Sequence, residues 1–253
     1  MAAWWLGILA PAPIRADAPL PLETAAAAFK PYVLEQISRC LTTVKSMGER
    51  VAAHDLAGAQ QSWLAARSGW EGSEVITNEF FPDLDRKIDA WPDADRGFHA
   101  IEAKLFGAHD VAVLPATEEL IYNLTEFERQ LRATTLTAQG LLNGTAKLIY
   151  EIGENKAEGG ESPFSGNSLA EMRVNVASVA AAYQLVFAPL TKKRNADLAR
   201  VLAKDLAVMR TLVSVPTLQD LDQALLRDAS ESLVDDLAMV GKEAGLEKPR
   251  LGN

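Results

Sequence analysis

Apolar residues recur every three or four positions along most of the chain, which is the repeat of an amphipathic α-helix. The first clear stripe lies within residues 22–47 and ends at Gly48, and a second lies within residues 55–75. Further helices are predicted over residues 96–106, 115–154, 168–187, 197–213 and 217–245. No alternation typical of a β-strand persists along the chain. The pattern predicts an all-α protein of about seven or eight helices, which suits two packed four-helix bundles.

Two stretches interrupt the helical pattern. Residues 77–95 contain two prolines and five aspartates, a composition typical of a loop with acidic side chains. Asp95 stands directly before the next short helix and is expected to cap it. The second stretch, residues 156–167, is rich in Gly and Ser. It predicts a boundary between a helical bundle of residues 17–155 and another of residues 156–253, both within one larger unit.

Local signals set the expected ends of the later helices. Pro115 predicts a helix start, because a proline fits the first turn, and this helix is expected to run to residue 154 with a bend near Gly140 and Gly144. Pro189 and the basic residues after it predict the end of the helix over residues 168–187. Thr217 and Asp220 resemble a capping box in which Asp replaces the usual Glu.

Composition and charge narrow the classes of function. The 253 residues are 48% hydrophobic and 23% charged, which is ordinary for a globular protein that can bury a sizeable core. The formal net charge of -9 argues against nucleic acid as a partner, because a phosphate backbone demands a basic surface, and it permits cation binding. The single cysteine, Cys40, excludes an internal disulfide and a cysteine-based metal site.

The N-terminus predicts export. The sequence MAAWWLGILA is an apolar run followed by proline and small residues, which resembles the end of a secretory signal with cleavage after Ala16. A disordered apolar tail is the alternative interpretation of residues 1–16. The run is too short to span a membrane. We therefore expect a protein of the periplasm or the cell surface.

His99 and Glu102 stand out in the helix predicted over residues 96–106. At about 100° per residue, Glu102 falls inside the apolar stripe that contains Phe98 and Phe106, and His99 lies at its edge. Side chains three positions apart share a helix face and can converge on one point. A buried carboxylate is costly unless it is paired or coordinated. A metal ion would satisfy this pair, since imidazole nitrogen and carboxylate oxygen are ligands for iron, zinc, copper and manganese.

The second predicted helix shows the same feature. Glu74 falls in the centre of its tryptophan stripe, and Glu71 lies on the flank. The aspartate-rich loop between the two helices can add further oxygen ligands, with Asp89 as the first choice and Asp85 as the second. The predicted metal ligands are therefore His99, Glu102, Glu74, Glu71 and Asp89.

Ordinary structural roles also account for these residues. The pattern H-x-x-E occurs often by chance. In that interpretation His99 is a core histidine, Glu102 pairs with Arg67 or Arg96, the glutamates of the second helix face solvent, and the aspartates serve the turns of their loop. The coincidence of several inward-facing carboxylates is what favours the metal site.

Several of these segments resemble one family. Residues 97–102, GFHAIE, resemble the G-x-H-x-x-E signature of the imelysin-like superfamily. Residues 67–74 resemble the R-x-x-Y-E-x-x-E helix of its EfeO branch, with Trp in place of Tyr, and residues 83–89 resemble its D-L-D-x-x-I-D loop. Residues 163–165 and 175–176 fall where the family carries P-Y-S and N-V.

This resemblance covers roughly residues 24–245 and implies a fold of two four-helix bundles. It implies a periplasmic protein that binds iron, with zinc, copper or calcium as alternatives, and hands the ion to a membrane permease or importer. The full-length EfeO form carries an additional cupredoxin domain, so the chain is expected to match the short form. A binding role is expected rather than catalysis. The imelysin name also carries a peptidase label, but metallopeptidase activity ranks third, after metal binding and polysaccharide binding, because the sequence offers no distinctive general base.

An acidic polysaccharide is the second expected ligand. The short form to which this chain is similar includes an EfeO-like alginate-binding protein. The candidate polysaccharide-binding residues are Lys192, Lys193 and Arg194. The alternative for this basic cluster is a helix C-terminus where cations are stabilised by the helix dipole.

Overall fold

The protein is described by a computed structural model over residues 21–90 and 95–251. Within these residues the chain is helical and has no β-strand, which confirms the predicted all-α fold. The α-helices of this part are α1 Leu22–Ala52, α2 Leu56–Glu71, α3 Glu74–Phe80, α4 Pro82–Ile88, α5 Gly97–Glu102, α6 Leu114–Ala133, α7 Ala138–Glu154, α8 Ser168–Ala182, α9 Ala188–Arg194, α10 Ala196–Leu212 and α11 Gln223–Ala244. One π-helical turn, Ala103–Gly107, continues α5, and another, Tyr183–Phe187, joins α8 to α9.

The helices form two bundles around one continuous apolar core. α1 packs along α2 and α6, and α7 packs along α11 and α8, with α10 against α11. α3 crosses α7, and α2 contacts α8, so the two bundles meet along these helices. By its packing α7 groups with the C-terminal helices, although it precedes residue 156. The division into residues 17–155 and 156–253 stays a prediction about folding units.

The crossing of α3 over α7 depends on Gly144. A Cβ atom on this residue would lie 1.8 Å from the carbonyl oxygen of Val75, so only glycine allows the two backbones to approach so closely. This contact places the first turn of α3 beside α7 and fixes the position of Glu74.

Two predicted boundaries in the N-terminal half are wrong. α1 continues through Gly48 to Ala52, because one glycine inside a long helix costs only about 1 kcal/mol relative to alanine. The second predicted helix is two helices, since the chain turns after Glu71, where the N–H of Ser73 donates to the carbonyl of Trp70 at 2.8 Å. A helical wheel drawn across this turn does not give the direction of side chains beyond it.

The aspartate-rich stretch is also more regular than predicted. Residues 77–95 contain the end of α3 and the whole of α4, which begins at Pro82, where the missing N–H costs nothing. Asp95 does not cap α5; its carboxylate accepts two hydrogen bonds from Arg96 instead. Residues 91–94 lie outside the described part of the chain.

The boundaries of the later helices are determined by capping residues and prolines, and not by the glycines. α6 begins at Leu114 with Pro115 in its first turn, as predicted, but it ends at Ala133. The Thr137 hydroxyl accepts from the N–H of Gly140 at 3.2 Å and starts α7, so the chain does not bend at that glycine. Pro189 opens α9 instead of ending the preceding helix.

The capping box of Thr217 and Asp220 is present, but it closes a 3₁₀ turn ahead of α11. The predicted secretory signal, residues 1–16, lies outside the described residues. In the described part, Ser168–Arg194 is long and apolar enough to cross a membrane by length and composition, yet its most apolar window is 61% buried inside the protein. This segment is therefore accounted for as a core helix.

Candidate metal centre

Arg67 of α2 is the centre of a buried ionic cluster. Its guanidinium has no accessible surface and donates through Nε to Glu171 at 3.0 Å and through Nη1 to Asp89 at 2.7 Å. Nη2 contacts Glu71, one turn further along α2, and lies 3.6 Å from Glu161. One cation therefore holds together carboxylates from α2, α8 and two connecting segments.

Lys156 is the second buried cation. Its Nζ donates to Glu71 Oε2 at 3.0 Å, to Glu74 Oε2 at 2.7 Å and to Glu161 Oε1 at 2.9 Å. The Asn175 amide of α8 also donates to Glu71 and Glu74, at 2.9 and 2.8 Å. These contacts bring together glutamates from α2, α3 and the Gly/Ser segment.

His99 joins the cluster through Asp89. Its Nε2 lies 2.8 Å from Asp89 Oδ1, and the Trp70 indole N–H donates to the other oxygen of Asp89 at 2.7 Å. The His99 Nδ1 lies 3.9 Å from Glu102 Oε2, so the predicted pair shares one buried face. Glu102 also accepts from the N–H and hydroxyl of Ser165, at 2.8 and 2.7 Å. Glu102 therefore ties the Gly/Ser segment to α5.

A close backbone approach aligns His99 with Asp89. Gly97, the first residue of α5, has a φ of +61°, and a Cβ atom there would lie 2.1 Å from the carbonyl oxygen of Ile88. Because this residue has no side chain, the start of α5 can lie against the end of α4. Asp89 follows α4 directly, so its carboxylate reaches the imidazole two residues beyond the glycine.

The cluster holds more negative than positive groups. Its carboxylates are Glu71, Glu74, Asp89, Glu102, Glu161 and Glu171, and its cations are Arg67, Lys156 and His99. Six carboxylates thus meet two permanent cations and one histidine, all at least largely buried. Buried negative charge in such excess requires protons or further cations.

The pKa shifts reflect this excess. Burial raises the pKa of Glu161 to about 8 and raises the pKa of Glu74 well above its usual range, where the neighbouring Glu71 carboxylate adds to the effect. Burial would do the same at Glu71 and Asp89, but the Arg67 guanidinium outweighs it and holds the pKa of both below the usual range. Burial lowers the pKa of His99, but the Asp89 carboxylate outweighs burial and raises it to about 9.

The spacing of the ligand atoms defines two overlapping groups, each of a size that could hold one metal ion. Ligand atoms of Glu71, Glu74, Asp89 and Glu161 lie within 4.8 Å of one another, and so do those of Asp89, His99 and Glu161. Two oxygen or nitrogen ligands on opposite sides of one ion are separated by about this distance, because each lies roughly 2.0–2.4 Å from the metal. Glu102 belongs to neither group. The donor set, mostly carboxylate with one imidazole, suits iron, manganese or zinc.

A cavity connects the cluster to the surface. It has a volume of about 270 Å³ and is lined by Glu74, Asp89, Lys156 and Glu161 at the cluster, with Glu151 among its other acidic residues. The Glu161 Oε2 atom is buried and has no hydrogen-bond partner in the described part of the chain. A buried carboxylate oxygen without a donor is rare in folded proteins and can accept a proton or a cation.

The structure brings four of the five predicted ligands together and places Glu102 beside them through His99. Glu161, Glu171 and Lys156 were not predicted. Glu161 and Lys156 lie in the Gly/Ser segment, where the sequence has no helical periodicity from which the direction of a side chain could be predicted. The only local signal was the family-like segment 163–165 a few residues away. The predicted ligand set itself stays a prediction.

The predicted polysaccharide-binding residues lie elsewhere. Lys192, Lys193 and Arg194 are exposed in the last turn of α9, where cations are stabilised by the helix dipole. The Arg194 guanidinium donates to the carbonyl of Glu243 near the end of α11. The cavity that reaches the ionic cluster is lined mostly by acidic and neutral residues.

The sequence is similar to those of known proteins. The sequence model of the imelysin family, Peptidase_M75, matches residues 25–243. The chain is similar to the iron uptake system component EfeO of Yersinia pseudotuberculosis, with 29% identity in an alignment that covers 93% of this chain and 68% of the relative. It is also similar to EfeO of Escherichia coli K12, with 29% identity over 252 residues, 92% of this chain and 67% of the relative.

Two solved structures share the fold. One is a candidate iron-regulated protein A precursor of Parabacteroides distasonis, with a TM-score of 0.72 and 18% identity over 90% of this chain and 97% of that one. The other is an imelysin-like protein of Psychrobacter arcticum, with a TM-score of 0.69 and 15% identity over 92% and 97% of the two chains. The similarity predicted from the sequence motifs is confirmed.

Proposed function

Because the chain belongs to the imelysin family, we propose that it is a metal-binding protein of the iron-uptake type. Its cargo is iron, and it acts outside the cytoplasm, in the periplasm or at the cell surface, where it passes the ion to a membrane permease. Support for iron comes from relatives that are named as iron uptake system components. The apolar start of the chain supports export.

The observation that carries this proposal is the unbalanced buried charge. A protein that only needed stability would not bury six carboxylates against two permanent cations, since replacing buried ion pairs by apolar residues is often neutral or stabilising. A divalent ion held by Asp89 and Glu161, which belong to both groups, with Glu71 and Glu74 on one side and His99 on the other, offsets the excess. Glu102 orients His99 from the other side of the ring.

The ligand chemistry favours iron or another first-row ion over calcium. One imidazole among carboxylates is a borderline donor set, whereas calcium sites are built from oxygen alone. Zinc and copper fit the same donors and are the alternatives in a binding assay. The metal is a cargo in this proposal, so the site must also release it, and the cavity of about 270 Å³ provides a path.

Titration calorimetry tests the proposal. Ferrous iron under argon, ferric citrate, zinc and copper are titrated into the parent and into Glu161→Gln. We expect the parent to bind one ion per chain and the variant to lose at least about tenfold in affinity, because one removed carboxylate costs more than about 1.4 kcal/mol of binding. Glu151→Gln is the matched control, since Glu151 lines the same cavity outside the cluster.

A second comparison uses the predicted pair. His99→Ala combined with Glu102→Ala removes the imidazole and its neighbour, and metal binding should fall at least as far as in Glu161→Gln. If the double variant and Glu161→Gln both bound metal as tightly as the parent, the cluster would be a structural ion network and the proposal would be lost.

The family name also contains a peptidase label. A metallopeptidase needs a metal with a position open to water and a base aimed at that water. The relatives named above are uptake components, so we propose a binding role and not hydrolysis.

A further inference from the structure

Lys156 lies among the same oxygens that are proposed to bind the metal. Its ammonium is 2.7–3.0 Å from one oxygen each of Glu71, Glu74 and Glu161. These three residues also belong to the group whose ligand atoms lie within 4.8 Å of one another. The ammonium therefore takes the position of a cation in the carboxylate cluster.

We propose that Lys156 is a tethered competitor for the metal ion: its ammonium neutralises the empty cluster and must withdraw when the ion binds. The inference rests on the proposed function and adds a determinant of affinity to it. The free energy of metal binding is then the difference between what the oxygens gain from the metal ion and what they lose when the ammonium leaves. A cargo protein gains from this, because the same ammonium returns when the ion leaves.

Geometry makes the two cations mutually exclusive. A metal ion would bind these oxygens at roughly 2.0–2.2 Å, which places it within about 5 Å of an ammonium that holds the same atoms. Two positive charges at that separation repel strongly in a site with little water. The ammonium directs its three N–H donors at the three glutamates, and it loses these contacts as a metal ion draws the same oxygens toward itself.

Lys156, and not Arg67, is the cation that can move. Arg67 has no accessible surface and is enclosed by the rings of Trp63 and Phe98. Lys156 lines the cavity, which also contains the carboxylate of Asp85, while the Glu151 carboxylate there is already paired with Lys147. The four-carbon lysine side chain is flexible, whereas the arginine is fixed by its planar contacts. The ammonium can therefore withdraw into the cavity toward acidic groups without leaving polar surroundings.

Replacing Lys156 by methionine tests the inference. Lys156→Met keeps the length of the side chain and removes the charge. Zinc titrated by calorimetry should bind at least about tenfold more tightly to this variant than to the parent, equivalent to about 1.4 kcal/mol. Lys156→Arg keeps the charge and should bind no more tightly than the parent.

Lys147→Met is the matched control, because the ammonium of Lys147 also lines the cavity but pairs with Glu151, 3.5 Å away. It should leave zinc affinity within about twofold of the parent, since no predicted ligand loses a partner. A second readout is thermal unfolding without metal. Lys156→Met should unfold at a lower temperature than the parent, because three buried carboxylates lose their counter-ion, and zinc should restore it.

The outcomes separate the two proposals. If the parent binds no metal, the proposed function fails. If the parent binds zinc and Lys156→Met binds it equally or more weakly, the metal site stands and Lys156 is a structural support instead of a competitor. If Lys156→Met folds only when zinc is present, its affinity is measured by chelator competition from the loaded form, and the same tenfold criterion applies.

Discussion

Arg67 carries a permanent charge at a position with no accessible surface. Its partners lie up to 104 positions away in the sequence, and Glu171 is the most distant of them. The sequence offered Glu102 as a possible partner of Arg67, whereas the structure pairs Arg67 with Glu71, Asp89 and Glu171. No local pattern reveals partners on another bundle, so this part of the site could not be predicted from the sequence.

Replacing Arg67 should destabilise the whole fold. Arg67→Met removes the counter-ion of Glu171 and Asp89, and uncompensated buried charge typically costs about 3–5 kcal/mol. Urea unfolding followed by circular dichroism measures the loss. Arg50→Met is the control, since the exposed pair of Arg50 with Asp55 should contribute less than about 1 kcal/mol. Equal losses in the two variants would mean that the buried network is not holding the bundles together.

Glu161 shows why part of the ionic cluster was missed from the sequence. A residue in a helix can be assigned to a face from its spacing, but the Gly/Ser segment has no such period. The segment was interpreted as a boundary, and in the structure it returns into the cluster. Ser162 donates to Glu171 at 2.8 Å and Ser165 to Glu102 at 2.7 Å, so serines that predicted a linker in fact anchor it.

At the scale of elements, short helices and the links between them position the residues of the ionic cluster. The periodicity predicted the long helices well, because each buries an apolar stripe several turns in length. The turn after Glu71 and the gap between α6 and α7 were missed, since both depend on hydrogen bonds of single residues such as Thr137. Glu74 consequently begins a helix of its own. The helical wheel placed it on the buried face by assuming one continuous helix, and the structure does not have that helix.

The link between α4 and α5 can be tested through Gly97. Gly97→Ala introduces a Cβ atom 2.1 Å from the carbonyl oxygen of Ile88, in addition to the strain of a positive φ. We expect a loss of more than about 2 kcal/mol in the free energy of unfolding, together with weaker metal binding as His99 shifts from Asp89.

Gly166→Ala separates the two contributions. This glycine has a φ of +68°, but a Cβ atom on it would meet nothing within 4 Å. Its cost should be the conformational strain alone, about 1–2 kcal/mol. If both variants lost the same stability and kept the same zinc affinity, the close approach at Gly97 would not be what aligns the ligands.

At the scale of the whole molecule, the net negative charge of the composition also brings acidic side chains close together outside the ionic cluster. Asp236 of α11 is partly buried beside Asp205 of α10 and near Asp235. Burial raises the pKa of Asp236 to about 6, and the neighbouring aspartates add to this effect. The folded protein therefore holds a proton there that the unfolded chain releases near pH 4.

This group should make the protein less stable as the pH rises from about 4 to about 6, because the folded state binds the proton more tightly than the unfolded chain. Asp236→Asn should raise the thermal midpoint by roughly 1–2 °C at pH 7.5, a small gain because much of the group is exposed, and by nothing at pH 4. Asp228→Asn, an exposed aspartate of the same helix, is the control. A gain that was equal at both pH values would contradict this assignment.

The overall architecture was the most predictable level. Helical periodicity and the family-like motifs fixed the all-α class, and the sequence model of the family matches residues 25–243. The meeting of the two bundles was not predictable, since it depends on close contacts such as that of Gly144 with Val75. Those contacts decide which distant side chains share one site.

The hydrogen bond from the Trp70 indole to Asp89, 2.7 Å long, has an optical consequence. The emission of an indole responds to charge and to electron acceptors in its immediate surroundings. An ion that engages Asp89 changes the field at this ring, and ferrous or cupric ions also quench its excited state. The protein thus contains its own fluorophore at the cluster, and we expect the proposed metal loading to change its ultraviolet emission without any attached dye.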